Sequence, residues 1–396
     1  MGEVRRRFGP GLLVAAAFIG PGTVTACTLA GANFGFALIW ALVFATAATI
    51  VLQDMAARRG AGARRGLGEA LMQSAPNAAV KWGMGGLVFA ALLIGNSAYE
   101  GGNLTGAALG LDALLLQASP GQNALVGLLA VLAAGLILVG TYDLLEKLLI
   151  GLVLLMSAAF VLSVIFVPPD LGALVSGLVP RLPDGATLTA MALIGTTIVP
   201  YNLFLHAAAA RQKWPSGKAT QAARQESALS ILILSTAASS LFKSGLSVTN
   251  AADMARAIEP TFGVAARYLI GIGLFAAGLT SAMTAPMATA FALSEMLGGN
   301  ERRRMVLFRA TALLVVIVGA AIGLSGIRPV SLILIAQYAN GLLLPIIAAF
   351  LLYVMNRKDL LGPHSNALAA NLAGSAIVLL TLGLGLRSIL RAAGFL

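Results

Sequence analysis

Long apolar runs separated by short, polar and often basic connections set the pattern of this chain. About 20 consecutive apolar residues cross the hydrocarbon core of a bilayer. Eleven segments reach that length, at approximately 10–33, 36–57, 82–116, 123–141, 144–167, 186–210, 225–243, 262–297, 306–326, 329–355 and 366–390. The third and eighth exceed one crossing and should tilt or project from the membrane. No segment between them reads as a separate soluble domain. The predicted elements are transmembrane helices, and the predicted class is an all-α polytopic membrane protein.

Composition agrees with the pattern. Of 396 residues, 59% are apolar and 10% are charged, against about 25% charged in soluble domains. The excess of basic residues, a formal +11, would ordinarily suggest nucleic acid. Here it is divided into small clusters between spans, where Lys and Arg act as topology signals. With the N-terminus cytoplasmic, 19 of the 26 basic residues fall on the inner side, from Arg5–Arg7 through Arg58, Arg59, Arg302–Arg304, Arg309, Arg357 and Lys358. The expectation is a multi-pass protein of the cell (inner) membrane, N-terminus inside and C-terminus outside, with the lipid bilayer as partner and no nucleic acid. Met1–Arg7 followed by Phe8–Ile19 resembles a signal peptide, but the many later spans argue for a retained first helix. Cys27 is the single cysteine, so neither an intrachain disulfide nor a cysteine metal site is available.

Two spans carry a helix-breaking tetrad near mid-membrane: Gly20-Pro21-Gly22-Thr23 in the first and Val199-Pro200-Tyr201-Asn202 in the sixth. Proline removes a backbone donor and glycine loosens the helix. Unwound backbone at membrane depth persists only when buried in protein or lining a cavity. Interrupted helices at matching positions of two halves mark the substrate site of transporters built from inverted repeats.

Polar residues on other spans point to the same place. Asn96, Glu100 and Asn103 share one face of the third span, and Glu100 is the one acidic residue well inside an apolar run. An intramembrane carboxylate is expensive and functional by default. Thr280, Ser281 and Thr284 on the eighth span read better as interhelical hydrogen-bonding groups. Gln337 and Asn340 on the tenth read equally as packing groups or ligand contacts.

At these residues the chain resembles the natural-resistance-associated macrophage protein family of divalent-metal transporters. Ala30-Gly31-Ala32-Asn33-Phe34-Gly35, Gly106-Ala107-Ala108-Leu109-Gly110-Leu111 and Asn202-Leu203-Phe204-Leu205-His206 look like that family's strings, in the family's order. The resemblance implies a LeuT-like fold, with two inverted five-helix repeats at about 10–167 and 186–355 and an extra helix at about 366–390 in one domain. It also exposes a departure. The family's Asp-Pro-Gly-Asn is Gly20-Pro21-Gly22-Thr23 here, its Met-Pro-His is Val199-Pro200-Tyr201, and its Asp-Leu-Ala-Glu is Glu100-Gly101-Gly102-Asn103. Of its titratable and polar groups, Glu100 (the first acid of the third-helix motif), His206, Arg309 and Gln337 remain.

Without those acids and the thioether, a transition metal loses its ligands, and a double charge at the midplane loses its counter-charge. A half-helix restarting at Thr23 would instead offer N–H groups and a positive dipole end to an anion. The sequence reading therefore expects a secondary transporter of a small anion, of the bicarbonate or short-carboxylate class. Its expected substrate contacts are Gly20, Pro21, Gly22, Thr23, Val199, Tyr201, Asn202, Asn103, Gln337 and Asn340, with Glu100, His206 and Arg309 as titratable or coupling groups. No metal site and no cofactor are expected. The alternative is a proton-coupled divalent-cation carrier, for Mg²⁺ before Mn²⁺ or Fe²⁺, using Glu100 and backbone carbonyls. Coupling to H⁺, coupling to Na⁺ and uncoupled transport all stay open. The spans offer no paired catalytic acids, zinc motif or Ser–His dyad and no filter string, which argues against an enzyme and against a channel.

Overall fold

The computed structural model describes residues 20–63, 66–74, 77–115, 118–139, scattered positions between 151 and 166, 170–213, 250–256 and 258–394. Among these residues the regular structure is helical throughout. The main helices are α1 (Pro21–Phe34), α2 (Ile39–Ala63), α3 (Ala78–Leu115), α4 (Gln122–Val139), α5 (Ala186–Thr197), α6 (Pro200–Lys213), α7 (Ala265–Leu297), α8 (Glu301–Gly323), α9 (Pro329–Met355) and α10 (Leu368–Ala392). Eight helical stretches among the described residues are long and apolar enough to cross a membrane. They cover nine of the eleven predicted spans, because α1 and α2 run on through a short 3₁₀ turn at Gly35–Leu38. The predicted span 225–243, most of 144–167 and the first half of 10–33 lie outside the described residues.

Local sequence explains where the helices start and stop. Proline at the first position of α1 costs nothing there, since that N–H has no helical acceptor. Gly20 caps it in extended conformation, at φ −93° and ψ 176°. The sixth predicted span is divided as expected: α5 ends at Thr197, Ile198 turns out of the helix at φ −98° and ψ 74°, and α6 restarts at Pro200. Because Pro200 has no N–H, the Thr196 carbonyl lacks its helical donor. The 38 residues of α3 extend about 57 Å at 1.5 Å each, well beyond a bilayer core of about 30 Å. The expectation of an overlong third span holds.

The interior is a bundle in which α3 and α7 pack along each other, flanked by α8 and α9. Small residues allow that approach: a methyl group at Gly278 would strike Ala107 and the Asn103 carbonyl. Close packing through small residues is how helices associate once lipid has removed the hydrophobic drive. The outer helices leave apolar side chains exposed, including Val131 and Val139 on α4, Ile317 on α8 and Leu379 on α10. In water such a surface would be an aggregation liability; facing lipid it is ordinary. At one end of α2, Arg58 bonds Asp54 at 2.9 Å, the His364 carbonyl at 2.9 Å and Asn366 Oδ1 at 2.8 Å. That arginine ties α2 to the segment joining α9 and α10.

Candidate functional site

The two broken helices meet in the middle of the bundle. Thr23 at the start of α1 and Thr196 near the end of α5 join hydroxyl to hydroxyl at 3.0 Å. Helix α9 lies over both breaks. At Gly195 a Cβ would collide with the Gln337 carbonyl and the Gly341 amide, so backbone touches backbone there. At Gly22 a Cβ would collide with the Gln337 side-chain amide. On the opposite side α3 closes the crossing, with Gly106 pressed on Pro21 and Ala336 of α9 against Gly102.

Gly20, Pro21, Gly22 and Thr23 are buried at the first break, and Val199, Tyr201 and Asn202 at the second. Glu100 and Asn103 on α3 and Gln337 and Asn340 on α9 are buried around them, each at 2% exposure or less. Two candidates are not brought to the crossing. His206 lies one turn and more along α6, its Nδ1 at 2.6 Å from Gln53 Oε1 on α2. Since a carbonyl oxygen only accepts, Nδ1 carries the hydrogen. Arg309 is exposed near the start of α8. Glu100 instead packs its methylenes on Gly319 of the same helix, about 15 Å further along at 1.5 Å per residue.

Polar groups without partners are concentrated here. Among the described residues no hydrogen-bond partner is found for Tyr99 Oη, either Glu100 carboxylate oxygen, Asn103 Nδ2, Tyr201 Oη, the Asn202 amide, Ser281 Oγ, Gln337 Oε1 or Asn340 Nδ2. An unmet buried polar group costs roughly 1–3 kcal/mol. Eight such side chains left dry would match or exceed the roughly 5–15 kcal/mol that keeps a domain folded. Water or a bound ion in the centre would satisfy them. By contrast, Thr280 bonds the Ala276 carbonyl at 2.7 Å and Thr284 the Ser281 carbonyl at 3.3 Å, both within α7. Asn96 bonds Thr289 across to α7. Those groups serve structure.

Three residues of the site escaped the sequence reading. Thr196 looked like one more helix residue before the second break. Ser281 was grouped with its neighbours as a packing group, although its hydroxyl faces Gly20. Tyr99 precedes Glu100 and stacks edge-on with Tyr201 at 5.5 Å between ring centroids. A signal for Tyr99 did exist, since it lies one helical turn beyond Asn96 and beside an intramembrane acid.

Comparison with known proteins bears on what this centre carries. A family model described as natural resistance-associated macrophage protein-like matches residues 11–391. The chain belongs to the Nramp family. Among Nramp relatives, the protein named divalent metal cation transporter MntH of Yersinia pestis is 26% identical over 408 residues, 95% of this chain and 92% of its own. The protein of the same name in Pectobacterium carotovorum is 26% identical over 398 residues, 96% of this chain and 92% of its own. The Eremococcus coleocola manganese transporter, solved with an aromatic bis-isothiourea compound, superposes at a TM-score of 0.75 with 19% identity, over 96% of this chain and 85% of that one. The nucleobase-cation-symport transporter Mhp1, closed around bromovinylhydantoin, superposes at 0.58 with 15% identity, over 98% and 94%. The fold is thus the LeuT-like arrangement of two inverted five-helix repeats with an added helix, in a multi-pass membrane transporter family.

The expected anion substrate, bicarbonate included, is overturned by these relatives, which are named for divalent metal cations. The geometry of the first Nramp break supplies the physical reason. Thr23 and Val24 both give their N–H to the Gly20 carbonyl, at 3.1 and 3.4 Å, and Pro21 has none. The dipole end that was to attract an anion thus retains one free helical N–H, on Gly22, and the Gln337 side-chain amide occupies the space beside that residue. The Thr23 hydroxyl, the other expected donor, is engaged with Thr196. Meanwhile Glu100 places a carboxylate in the centre, fully buried, and a carboxylate repels anions.

Proposed function

We propose that this protein is a secondary transporter of divalent metal cations, working by alternating access across the cell membrane, with Mg²⁺ its foremost substrate and Mn²⁺ behind it. The observation that carries this reading is the buried Glu100 carboxylate, without a hydrogen-bond partner among the described residues, beside two broken helices in an Nramp chain. Among the described residues no three His, Cys, Asp or Glu side chains are grouped as a metal cage. Besides the Glu100 carboxylate, the buried polar groups of the crossing offer oxygen: the Gln337 and Asn202 side-chain carbonyls and the hydroxyls of Tyr99, Tyr201 and Ser281. Soft or borderline ions gain nothing from an all-oxygen set. Mg²⁺ suits it, because it keeps several waters and binds proteins through one or two carboxylates.

The repeats run from about residue 10 to 167 and from about 186 to 355, with the extra helix at about 366–390. The distribution of Lys and Arg supports a cytoplasmic N-terminus and an external C-terminus in the inner membrane. The work assigned to the centre is ion passage, and no catalytic chemistry is assigned to it.

Purified protein in liposomes, followed with Mg²⁺- and Mn²⁺-sensitive dyes, tests the reading. Saturable Mg²⁺ uptake with weaker Mn²⁺ uptake is the expected outcome. Liposomes that admit neither ion, with the protein folded and inserted, would overturn it.

A further inference from the structure

Two arginines near the end of α10, Arg387 and Arg391, are exposed one helical turn apart. No Asp or Glu occurs in residues 360–396, and neither guanidinium has an acidic partner among the described residues. In the proposed topology this end of the helix is external. Basic residues accumulate on the cytoplasmic side, so the signal that orients the chain does not account for the pair. A cavity of about 530 Å³ lies against them, lined by Gly383, Leu386, Arg387, Leu390 and Arg391. Where a side chain on Gly383 would begin, nothing stands within 4 Å. Towards the start of the helix Leu386, Leu379 and Leu372 recur every seventh residue, all exposed, and so form one apolar stripe. The opposite face is packed: Gly385 lies against Leu342 of α9, and Ser388 touches Met191 of α5.

An apolar stripe that ends in two cations has the polarity of a phospholipid, chain below and headgroup above. Four residues rise about 6 Å, a spacing at which two flexible guanidinium groups reach one phosphate, and each offers it a planar fork of donors. With no counter-charge nearby, the pair favours a headgroup of net negative charge over a zwitterionic one, whose amine it repels. We propose that the end of α10 is a binding site for an anionic phospholipid of the outer leaflet. Its phosphate is held between Arg387 and Arg391, and one acyl chain lies along Gly383, Leu386 and the stripe beyond. The site does not depend on which ion the transporter carries. A lipid seated there braces α10 against α5, the helix that leads into the second break at Ile198.

Native mass spectrometry of the full chain in detergent, titrated with phosphatidylglycerol or with zwitterionic phosphatidylethanolamine, tests this. Phosphatidylglycerol should be retained the more tightly. Arg387→Gln with Arg391→Gln should weaken its retention by about tenfold or more. Gly383→Leu, which keeps both charges and fills the notch beside them, should weaken it as well. Arg303→Gln with Arg304→Gln removes the same charge from the exposed start of α8 and should leave retention unchanged. Size-exclusion and thermal unfolding profiles establish that each variant is folded. Added phosphatidylglycerol should raise the unfolding temperature of the wild-type protein and of the α8 variant, and leave that of the α10 double variant where it was. Equal retention of the two lipids by the wild-type protein, or equal losses from the α8 and α10 variants, overturns the proposal, because the attraction would then be that of net charge alone.

Discussion

Thr23 and Thr196 share a hydrogen bond of 3.0 Å between their hydroxyls, which joins the first break to the second across 173 residues of sequence. Each threonine sits where its helix has lost regular backbone bonding, so the pair holds together the two least regular points of the bundle. Thr196→Val should remove the link at a cost of about 1 kcal/mol. Detergent-solubilised variant should unfold at lower temperature, and transport should slow, because closing the site no longer gains that bond. A variant with unchanged uptake and unfolding would show that the link is incidental.

Glu100 supplies the only carboxylate the crossing contains among the described residues. Glu100→Gln keeps shape and volume while removing the charge, and the desolvation penalty of a divalent ion without a counter-charge is several kcal/mol. Mg²⁺ uptake should fall by at least about 100-fold, with folding intact. Uptake rates at saturating Mg²⁺ check this directly.

Close contact at Gly195 gives a prediction about stability alone. A methyl group there meets the Gln337 carbonyl and the Gly341 amide, which are backbone and cannot rotate away. Gly195→Ala should force α5 and α9 apart and cost roughly 1–3 kcal/mol, the usual range for overpacking. Differential scanning fluorimetry should show the loss. Gly86→Ala, where nothing lies within 4 Å, serves as the comparison and should leave the unfolding temperature unmoved.

Rebuilding the family's ligands should change the ion preferred. Gly20→Asp with Thr23→Asn and Val199→Met restores a carboxylate, a side-chain carbonyl and a thioether, which together favour Mn²⁺. The space at Gly20 is tight, with Ser281 Oγ and Tyr99 Oη at 3.3 Å from a Cβ, so adding Ser281→Ala should improve the result. The ratio of Mn²⁺ to Mg²⁺ uptake should rise by about tenfold or more. An unaltered ratio would count against the site as drawn.

Arg58 gathers four acceptors from two parts of the chain, Asp54, the His364 and Ser365 carbonyls and Asn366. Arg58→Ala should strand the three in residues 364–366 and release the segment before α10 from α2. Amide hydrogen exchange in residues 362–367 is the measurement, with faster exchange expected in the variant and unchanged exchange within α9.

The broken helices were legible because proline and glycine act on backbone locally, and the same residues that mark the break in sequence make it in space. Glu100 was legible for a similar reason: a carboxylate in an apolar run has few explanations. The substrate was read with the wrong sign because a helix dipole attracts an anion only through amides that are free. Whether the amides at Gly20–Thr23 are free depends on where the Gly20 carbonyl turns, and sequence carries no sign of that. Ser281 and Thr196 were passed over since hydroxyls are common in membrane helices and only their tertiary neighbours separate structural from site-lining ones. Arg309, exposed near the start of α8, marks the converse limit: a residue type in the right helix says nothing about which face it occupies.

The Gly20 carbonyl turns into its own helix to accept from Thr23 and Val24, and the Val199 carbonyl does the same for Asn202. Each break therefore closes its second half-helix on itself in the same way, although the two tetrads differ in sequence. Inverted symmetry here yields two matched turns of committed backbone, which leaves the grip on a travelling ion to side chains.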